Sequence, residues 1–270
     1  MIWFGTNLSG ELFPNDAALI ETTDRGFTVG EGVFETVIVR SGEAFALNRH
    51  LARLQKSAEI LHLPQPNSEL IRSAVITTIA MSQEATGETG RLRITYTAGR
   101  GAGQPTILIS CTAQDVWPET TSAITVPWVR NERSAIVGAK STSYAENVIA
   151  LKEAHRQGSS EAIVANSQGK LCEGVTTNVF VVLDGEVATP PLSSGCLAGV
   201  TRELVIEWFG AKERDIDFAS MGQVSELFLT STTRGIHPVT SLDGRNLEVG
   251  ETSLRLQREF QRLSRANVNP

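Results

Sequence analysis

The chain is predicted to fold as an α+β protein with two domains. Strand-like and helix-like patterns occur in both halves but do not alternate strictly, which disfavours a doubly wound parallel sheet. A polar, proline-containing stretch at 115–122 (DVWPETTS) separates two strand-like runs and is typical of a linker. The 270 residues are enough for one large domain or two modest ones. We therefore expect a small N-terminal α+β domain over 1–114, a linker over 115–122 and a larger domain over 123–270.

The first half contains strands and helices that follow from the period of its apolar residues. Residues 32–40 (GVFETVIVR) are rich in Val, Ile and Phe, which favours a β-strand. Apolar residues from Leu51 to Leu61 recur at helical spacing, and Pro64 is expected to close that helix. The other predicted elements are a hairpin over 3–12, a turn at 41–42 with a returning strand over 44–47, a helix over 68–82, and strands over 91–98 and 106–112.

The second half is read in the same way. Its predicted elements are strands at 123–129, 161–165, 177–183 and 226–230, helices at 144–157, 201–208 and 252–265, and turns at 166–169 and 184–185. Four arginines lie on one side of the last predicted helix: Arg255, Arg258, Arg262 and Arg265. We interpret them as a solvated face rather than a nucleic-acid site.

The composition excludes several classes of function. The formal net charge is -6, and no basic stripe of the kind that binds nucleic acid is present. Three cysteines, Cys111, Cys172 and Cys196, do not form a disulfide framework or a metal-ligand spacing. No signal peptide and no stretch long enough to span a bilayer is recognised. We therefore expect a cytoplasmic protein without metal, membrane or nucleic-acid partners.

Lys140 lies in a segment of small and polar residues, GAKSTSYAE (138–146). Ser143 and Glu146 have the spacing of a capping box, which predicts that a helix begins after Ser143. A lysine just ahead of a helix N-terminus has its ammonium form disfavoured, which suits an amine that must attack an aldehyde. Alone, the pattern is more typical of a surface lysine beside a helix.

Glu173 lies in a strongly apolar stretch, LCEGVTTNVFVV (171–182), directly after a predicted strand at 169–172. A carboxylate that points inward there requires a partner. A pyridinium nitrogen is one such partner, because the anion keeps the nitrogen protonated and the ring an effective electron sink. The alternative is an exposed glutamate at the end of a strand.

Two segments and one arginine have the chemistry of a phosphate site. Gly199 permits close approach of the backbone, and Thr201 lies where a helix is predicted to begin, so N–H groups and a hydroxyl can meet an anion. The segment STTR (231–234) follows a predicted strand, and Arg53 can reach inward with paired N–H donors. The alternatives are an ordinary N-cap threonine, a polar loop and an exposed helical arginine.

Together and in order, these segments resemble the class IV aminotransferases, which are fold-type IV pyridoxal-phosphate enzymes. The resemblance extends from about residue 3 to residue 250, and the separation of Lys140 and Glu173 (173 − 140 = 33 residues) is similar to the family's. It implies a small α/β sandwich domain, a larger pseudo-barrel domain, and a homodimer with the site between the domains. The matching segments are DRGFTVGEGVFETVIVRSG (24–42), HLARL (50–54), the lysine segment, EGVTTNVF (173–180), CLAGVTRE (196–203) and TSTTRGIHPV (230–239).

The resemblance also implies a role for each matching residue, with pyridoxal 5'-phosphate as the cofactor. Lys140 is then the Schiff-base lysine and proton shuttle, and Glu173 pairs with the pyridine nitrogen. Leu197 packs against the ring, and Tyr144 lies near the ring hydroxyl. The implied phosphate ligands are Arg53, Gly199, Val200, Thr201, Thr232 and Thr233.

The family comprises branched-chain aminotransferases, D-amino-acid aminotransferases and 4-amino-4-deoxychorismate lyases, and substrate-pocket residues separate them. Thr36, which is expected to line the pocket with Phe34, looks more like the lyases, since the branched-chain pattern has glycine at that position. The segment TYTAGRG (95–101) lacks the Arg-x-His pair of the D-amino-acid enzymes and departs from the Ser-Arg-Gly form of familiar lyases. Arg100 or Arg234 is the candidate for carboxylate binding, with an ordinary loop arginine as the alternative.

We therefore predict a homodimeric, pyridoxal-phosphate-dependent 4-amino-4-deoxychorismate lyase that acts on a small-molecule amino substrate in folate biosynthesis. One alternative is a class IV aminotransferase acting on branched-chain or D-amino acids. The other is a cofactor-binding homologue without catalytic activity, which the presence of both Lys140 and Glu173 disfavours.

Overall fold

The computed structural model divides into two compact units. It describes residues 1–17, 19–101, 103–183, 185–247 and 250–270, with the backbone alone at 83–86. The predicted turn at 184–185 includes Asp184, which lies outside the described residues. Unit 1 consists of Met1–Asp115, Ala139–Ser143 and Asn267–Pro270, and unit 2 consists of Val116–Gly138 and Tyr144–Ala266.

Unit 1 is an antiparallel sheet with three helices. Its strands are β1 (Ile2–Gly5), β2 (Gly10–Phe13), β3 (Gly32–Arg40), β4 (Glu43–Ala44), β5 (Thr89–Thr97) and β6 (Thr106–Ala113), and its helices are α1 (Arg25–Thr28), α2 (Leu47–Ile60) and α3 (Ser68–Thr86). The strand order is β2-β1-β6-β5-β3-β4. The returning strand predicted at 44–47 is wrong beyond Ala44, because Ala46 adopts a left-handed conformation (φ 54°) and α2 begins at Leu47.

The two faces of the β3–β5 pair have different characters. Val33 and Val37 belong to the apolar core together with Leu51 and Leu54 of α2. Because successive side chains of a strand point to opposite faces, the intervening positions of β3 and their neighbours on β5 lie on the other face. Those residues are Phe34, Thr36, Arg93 and Thr95, and all but Phe34 are half-buried.

The segment Ala139–Ser143 is attached to β3. Because β4 pairs only with the last two residues of β3, the first part of that strand has an open edge. Ser141 forms an antiparallel bridge with Val33, and the Thr142 amide donates to the Gly32 carbonyl at 2.8 Å. The residue predicted to be catalytic therefore belongs to unit 1.

Unit 2 is built on a larger mixed sheet. Its strands are β7 (Thr121–Arg130), β8 (Glu161–Asn166), β9 (Leu171–Gly174), β10 (Asn178–Leu183), β11 (Glu186–Thr189), β12 (Lys212–Glu213), β13 (Glu226–Ser231), β14 (Gly235–Leu242) and β15 (Arg245–Asn246), and its helices are α4 (Ala145–Arg156), α5 (Val200–Phe209) and α6 (Glu251–Ala266). The order is β12-β11-β10-β13-β14-β7-β8-β9, with β15 paired to β14. Parallel pairing occurs at β7–β8, β7–β14 and β11–β12. The predicted α+β class is confirmed.

Cross-strand packing and an amphipathic helix complete the core of unit 2. Phe180 of β10 and Phe228 of β13 are register partners whose rings stack at 4.9 Å, a contact that adds to their burial. In α6, buried side chains recur at helical spacing, and the four arginines predicted to be solvated are exposed. Among the helices that the structure describes, none combines the length and the apolar character needed to cross a membrane.

Two local predictions, one at the start of α4 and one in β9, are wrong. Helix α4 begins at Ala145 with Tyr144 as its N-cap and without a side-chain cap. The Ser143 hydroxyl instead donates to the Gly30 carbonyl at 3.1 Å, so the predicted capping box does not form. Glu173 lies inside β9 rather than after a strand.

Candidate active site

Lys140 lies in a cluster of unit 1 residues that we call the lysine cluster, consisting of Phe34, Ser57, Arg93 and Lys140. The Lys140 Nζ atom lies 4.4 Å from the centre of the Phe34 ring. The Arg93 guanidinium carbon lies 3.4 Å from the same ring centre. The Lys140 amine and the Arg93 guanidinium therefore both contact one aromatic ring, whose quadrupole attracts a cation at its face. The structure brings Lys140 together with the predicted pocket residue Phe34.

The backbone of Lys140 is held by hydrogen bonds at both of its polar groups. Its amide donates to the Ser57 Oγ at 3.1 Å, and its carbonyl accepts from the Phe34 amide at 2.9 Å. The Ser57 side chain is buried on α2. Lys140 is thus anchored to both β3 and α2.

Arg53 takes part in a buried ion pair on the helix-covered face of β3. Its Nε and a terminal nitrogen donate to the two Glu35 oxygens at 2.8 and 2.7 Å. The His50 Nδ1 lies 2.8 Å from Glu35 Oε2, and Glu35 and His50 are fully buried. Burial raises the pKa of Glu35, but the Arg53 guanidinium and the His50 ring lower it by more, leaving the pKa at about 2. Burial lowers the pKa of His50, which favours the neutral ring at pH 7.

Glu173 is the centre of a second group, the anion cluster, in unit 2. We define it as Glu173, Leu197, Gly199, Val200 and Thr201. The Leu197 amide donates to Glu173 Oε2 at 2.8 Å. This bond links the predicted pyridine-binding carboxylate to the segment that enters α5.

The carboxylate of Glu173 also has a cationic neighbour. Arg130 Nε lies 3.2 Å from Glu173 Oε1, with both side chains largely buried. The same guanidinium reaches the Asn147 side-chain oxygen at 3.5 Å. An arginine beside a buried carboxylate stabilises its anionic form and fixes its orientation.

The N-terminus of α5 has the features of an anion site. Gly199 is its N-cap, and the buried Val200 and Thr201 form its first turn, for which no described side chain serves as a cap. An ideal Cβ on Gly199 would lie 2.0 Å from the Asn178 Oδ1. The amide group of Asn178 in turn donates to the Leu197 carbonyl at 2.8 Å. Glycine is therefore required for the close approach that leads the chain into α5.

The remaining predicted cofactor residues also lie in unit 2. The Tyr144 hydroxyl donates to the Val175 carbonyl at 3.0 Å, two residues beyond Glu173. Thr232 and Thr233 lie in the turn between β13 and β14. That turn follows β13, whose Thr230 is the register partner of Asn178 on β10. Thr232 and Thr233 therefore lie at the end of the strand pair that supports the anion cluster.

The two arginines predicted to bind a substrate carboxylate have other partners. Arg100 is exposed and forms an ion pair with Glu21. Arg234 stacks at 3.9 Å on the Trp117 ring and donates at 2.9 Å to both the hydroxyl and the carbonyl of Ser160. Burial lowers the pKa of Arg234. Their contacts are those of structural arginines, and their binding role stays a prediction.

Sequence reasoning missed Ser57, Arg93 and Arg130. Arg93 could be found only from the strand register, which makes it the neighbour of Thr36 across the β3–β5 pair. Ser57 could have been found from helical spacing, because Arg53 and Ser57 are four residues apart and share one face of α2. Within the described ranges, no group of His, Cys, Asp and Glu side chains has the arrangement of a metal site.

Comparison with known proteins shows the family. The family model described as amino-transferase class IV matches residues 32–242. The chain is 32% identical over 271 residues to a bifunctional aminodeoxychorismate lyase / D-amino acid transaminase of Mycobacterium tuberculosis, covering 89% of this chain and 91% of that protein.

Solved structures give the same result. The fold IV-transaminase CpuTA1 from Curtobacterium pusillum has a TM-score of 0.88 and 30% identity, covering 97% of this chain and 98% of that one. The PLP-bound form of a hypothetical aminotransferase from Mycobacterium tuberculosis has a TM-score of 0.86 and 28% identity, with coverages of 96% and 97%. The chain therefore belongs to the class IV aminotransferases, pyridoxal-phosphate-dependent transaminases and lyases of fold-type IV.

Proposed function

We propose that the protein is a 4-amino-4-deoxychorismate lyase that releases pyruvate and 4-aminobenzoate, with Lys140 as its catalytic lysine. The observation that carries the proposal is the meeting of Lys140 Nζ and the Arg93 guanidinium on the Phe34 ring. An amine and a cation that can bind a carboxylate therefore contact the same aromatic side chain. The substrate of this lyase carries both an amino group and carboxylates.

Two further observations favour the lyase reaction. The 32%-identical relative is named for aminodeoxychorismate lyase activity as well as for transamination. In addition, Thr36 is the cross-strand neighbour of Arg93, so a hydroxyl and a guanidinium share the face of the sheet on which Phe34 lies. We assign carboxylate binding to Arg93 rather than to Arg100 or Arg234, because its guanidinium contacts the same Phe34 ring as the Lys140 amine.

The residues of the anion cluster fit pyridoxal 5'-phosphate. The backbone amides that begin α5 and the Thr201 hydroxyl suit a phosphate, with Arg53, Thr232 and Thr233 as further proposed ligands. The Glu173 carboxylate suits a protonated pyridine nitrogen. The Thr230 hydroxyl, on the register partner of Asn178, is buried and has no hydrogen-bond partner among the described residues, so it can bind a polar group of such a ligand. When bound, this cofactor supplies an aldehyde that captures amines and a ring that accepts an electron pair.

Lys140 and Arg93 are the groups of the chain that we propose to act on the substrate. Lys140 Nζ would hold the cofactor at its aldehyde. As an amine it would also take the proton from the substrate carbon that bears nitrogen. The neighbouring C–O bond breaks, and its electron pair leaves with the enolpyruvyl oxygen. One proton added to the enol carbon gives pyruvate, and the ring becomes aromatic 4-aminobenzoate. Arg93 holds a substrate carboxylate during these steps.

The direct test supplies aminodeoxychorismate to the purified holoenzyme without any keto acid. Equal amounts of pyruvate and 4-aminobenzoate are expected. Lys140→Ala should lose this activity together with the visible absorbance of the lysine-bound cofactor, whereas Lys152→Ala, at an exposed lysine of α4, should keep both. An absolute requirement for a keto acid would refute the lyase assignment. A Lys140→Ala spectrum identical to the parent's would refute the lysine assignment.

Transamination of D-amino acids is the second candidate function, since the same relative is named for it. The first proton removal by Lys140 is common to both reactions. The two differ in their co-substrate, since a transaminase requires a keto acid and the lyase does not. Production of a keto acid from D-alanine in the presence of 2-oxoglutarate, measured beside the lyase assay, separates the two activities.

A homodimer in the cytoplasm is part of this proposal. Unit 2 exposes the apolar side chains of Trp128, Val129 and Ile149, a pattern that supports a subunit interface. The three cysteines are buried thiols, which supports a reducing compartment. Folate biosynthesis is the pathway that the proposed product serves.

A further inference from the structure

We infer that Ser57 is the positioning residue for Lys140: its buried hydroxyl fixes the lysine backbone and thereby sets where the reactive amine can reach. This inference rests on the proposed role of Lys140. It concerns only groups of unit 1.

Both polar groups of the Lys140 backbone are bound. The carbonyl of Lys140 is bound by β3 through the Phe34 amide at 2.9 Å. Its amide points to α2 instead, where the Ser57 Oγ accepts at 3.1 Å. The hydroxyl takes the place that a neighbouring strand would fill, because the edge of a sheet leaves every second amide without a ladder partner.

The Ser57 hydroxyl is buried. Ser57 is 1% exposed, so water cannot replace it as acceptor if it is removed. An amide left without an acceptor in such a place drives the local backbone to move. The Ala139–Ser143 segment has nearby anchors at Gly32 and Gly30, so the movement would be concentrated at Lys140 itself.

Ser57 shares a face of its helix with the proposed phosphate ligand of unit 1. His50, Arg53 and Ser57 follow one another at i, i+3 and i+7, which places them on one face of α2. Arg53 is the proposed phosphate ligand of unit 1, and Ser57 holds the lysine one helical turn later. One rigid helix face thus sets both the Arg53 guanidinium and the Lys140 backbone.

The consequence is kinetic. A displaced backbone moves the Nζ atom away from its contact on Phe34, and small misplacements of a reacting group cost large factors in rate. Ser57 therefore affects the capture of an aldehyde by Lys140. It does not affect the binding of a phosphate ester that lacks the aldehyde.

The experiment compares Ser57→Ala with the parent and with Ser73→Ala, at an exposed serine of α3. The rate constant for capture of pyridoxal 5'-phosphate by the apoprotein, followed by visible absorbance, should fall about tenfold in Ser57→Ala. Affinity for pyridoxine 5'-phosphate, which has no aldehyde, should stay within about twofold. Ser73→Ala should match the parent in both. Equal capture rates in Ser57→Ala and parent would overturn the inference, and so would a parallel loss of both properties.

Amide hydrogen exchange measured on the parent protein tests the same bond without a variant. The Lys140 amide of the parent protein should exchange slowly, and Ser57→Cys, whose somewhat larger thiol is a weaker acceptor, should accelerate that exchange. An unprotected Lys140 amide in the parent would also overturn the inference. Failure of the Lys140 assignment itself is distinguishable, since Lys140→Ala would then retain the absorbance of the bound cofactor.

Discussion

Replacing Glu35 with glutamine perturbs the buried ion pair that orients Arg53. The pKa of Glu35 is about 2 in the folded chain, against an ordinary value of 4.5. At about 1.4 kcal/mol per pH unit, this interval corresponds to about 3 kcal/mol of stability. The same magnitude follows from the cost of leaving one buried charge unpaired, about 3–5 kcal/mol, since the Arg53 side chain is only 11% exposed.

The sign of the pH dependence follows from the lowered pKa. The contribution of Glu35 is fully present above pH 4.5 and is lost as the pH falls from 4.5 towards 2. The glutamine variant has no such titration. The stability difference between parent and Glu35→Gln should therefore be about 3 kcal/mol at pH 7 and about 1 kcal/mol smaller at pH 4.

Guanidinium unfolding followed by far-UV circular dichroism at the two pH values measures this difference. Glu88→Gln is the matched control, because Glu88 is an exposed residue just before β5. A Glu35→Gln variant within about 0.5 kcal/mol of the control at pH 7 would refute the reasoning. A difference that increases on acidification would refute the sign.

Two further substitutions test the binding groups. Arg93→Gln removes the guanidinium that lies on Phe34, and steady-state kinetics should show kcat/KM lower by about 10- to 100-fold, as expected for loss of a charged hydrogen bond to a carboxylate. Gly199→Ala places a Cβ 2.0 Å from the Asn178 Oδ1, and titration should show cofactor affinity weaker by at least about tenfold.

Each of these has a control in the same unit. Arg91→Gln removes an exposed arginine two residues away on β5 and should leave kcat/KM unchanged. An equal loss in both variants would contradict carboxylate binding by Arg93. Gly222→Ala adds a Cβ that meets nothing within 4 Å, so cofactor affinity should stay at the parent value. Parent-like affinity in Gly199→Ala would contradict the required close approach.

Local sequence patterns were sufficient to predict those elements whose conformation depends mainly on their own residues. The β-branched run of β3 predicted its bounds at residues 32 and 40, and the apolar periodicity of α2, α3 and α6 located these helices. The α+β class and the family followed from the order of such segments. A predicted element boundary was wrong where a hydrogen bond to a residue distant in sequence replaced the local one. Ser143 donates to Gly30 instead of capping α4, because a carbonyl distant in sequence offered an alternative acceptor.

The sequence by itself determined which residue types are available to the chemistry: one lysine and one glutamate in the family's spacing, a glycine before a helix, and hydroxyls after a strand. Only the tertiary structure decided what surrounds them. The register of β3 and β5 brings Arg93 beside Thr36 and onto Phe34, and the edge of β3 brings Lys140 to Ser57 across 83 residues of chain. Strand pairing and the docking of a segment on a sheet edge join residues that are distant in sequence, and both depend on the burial of whole faces. No local sequence pattern predicts them.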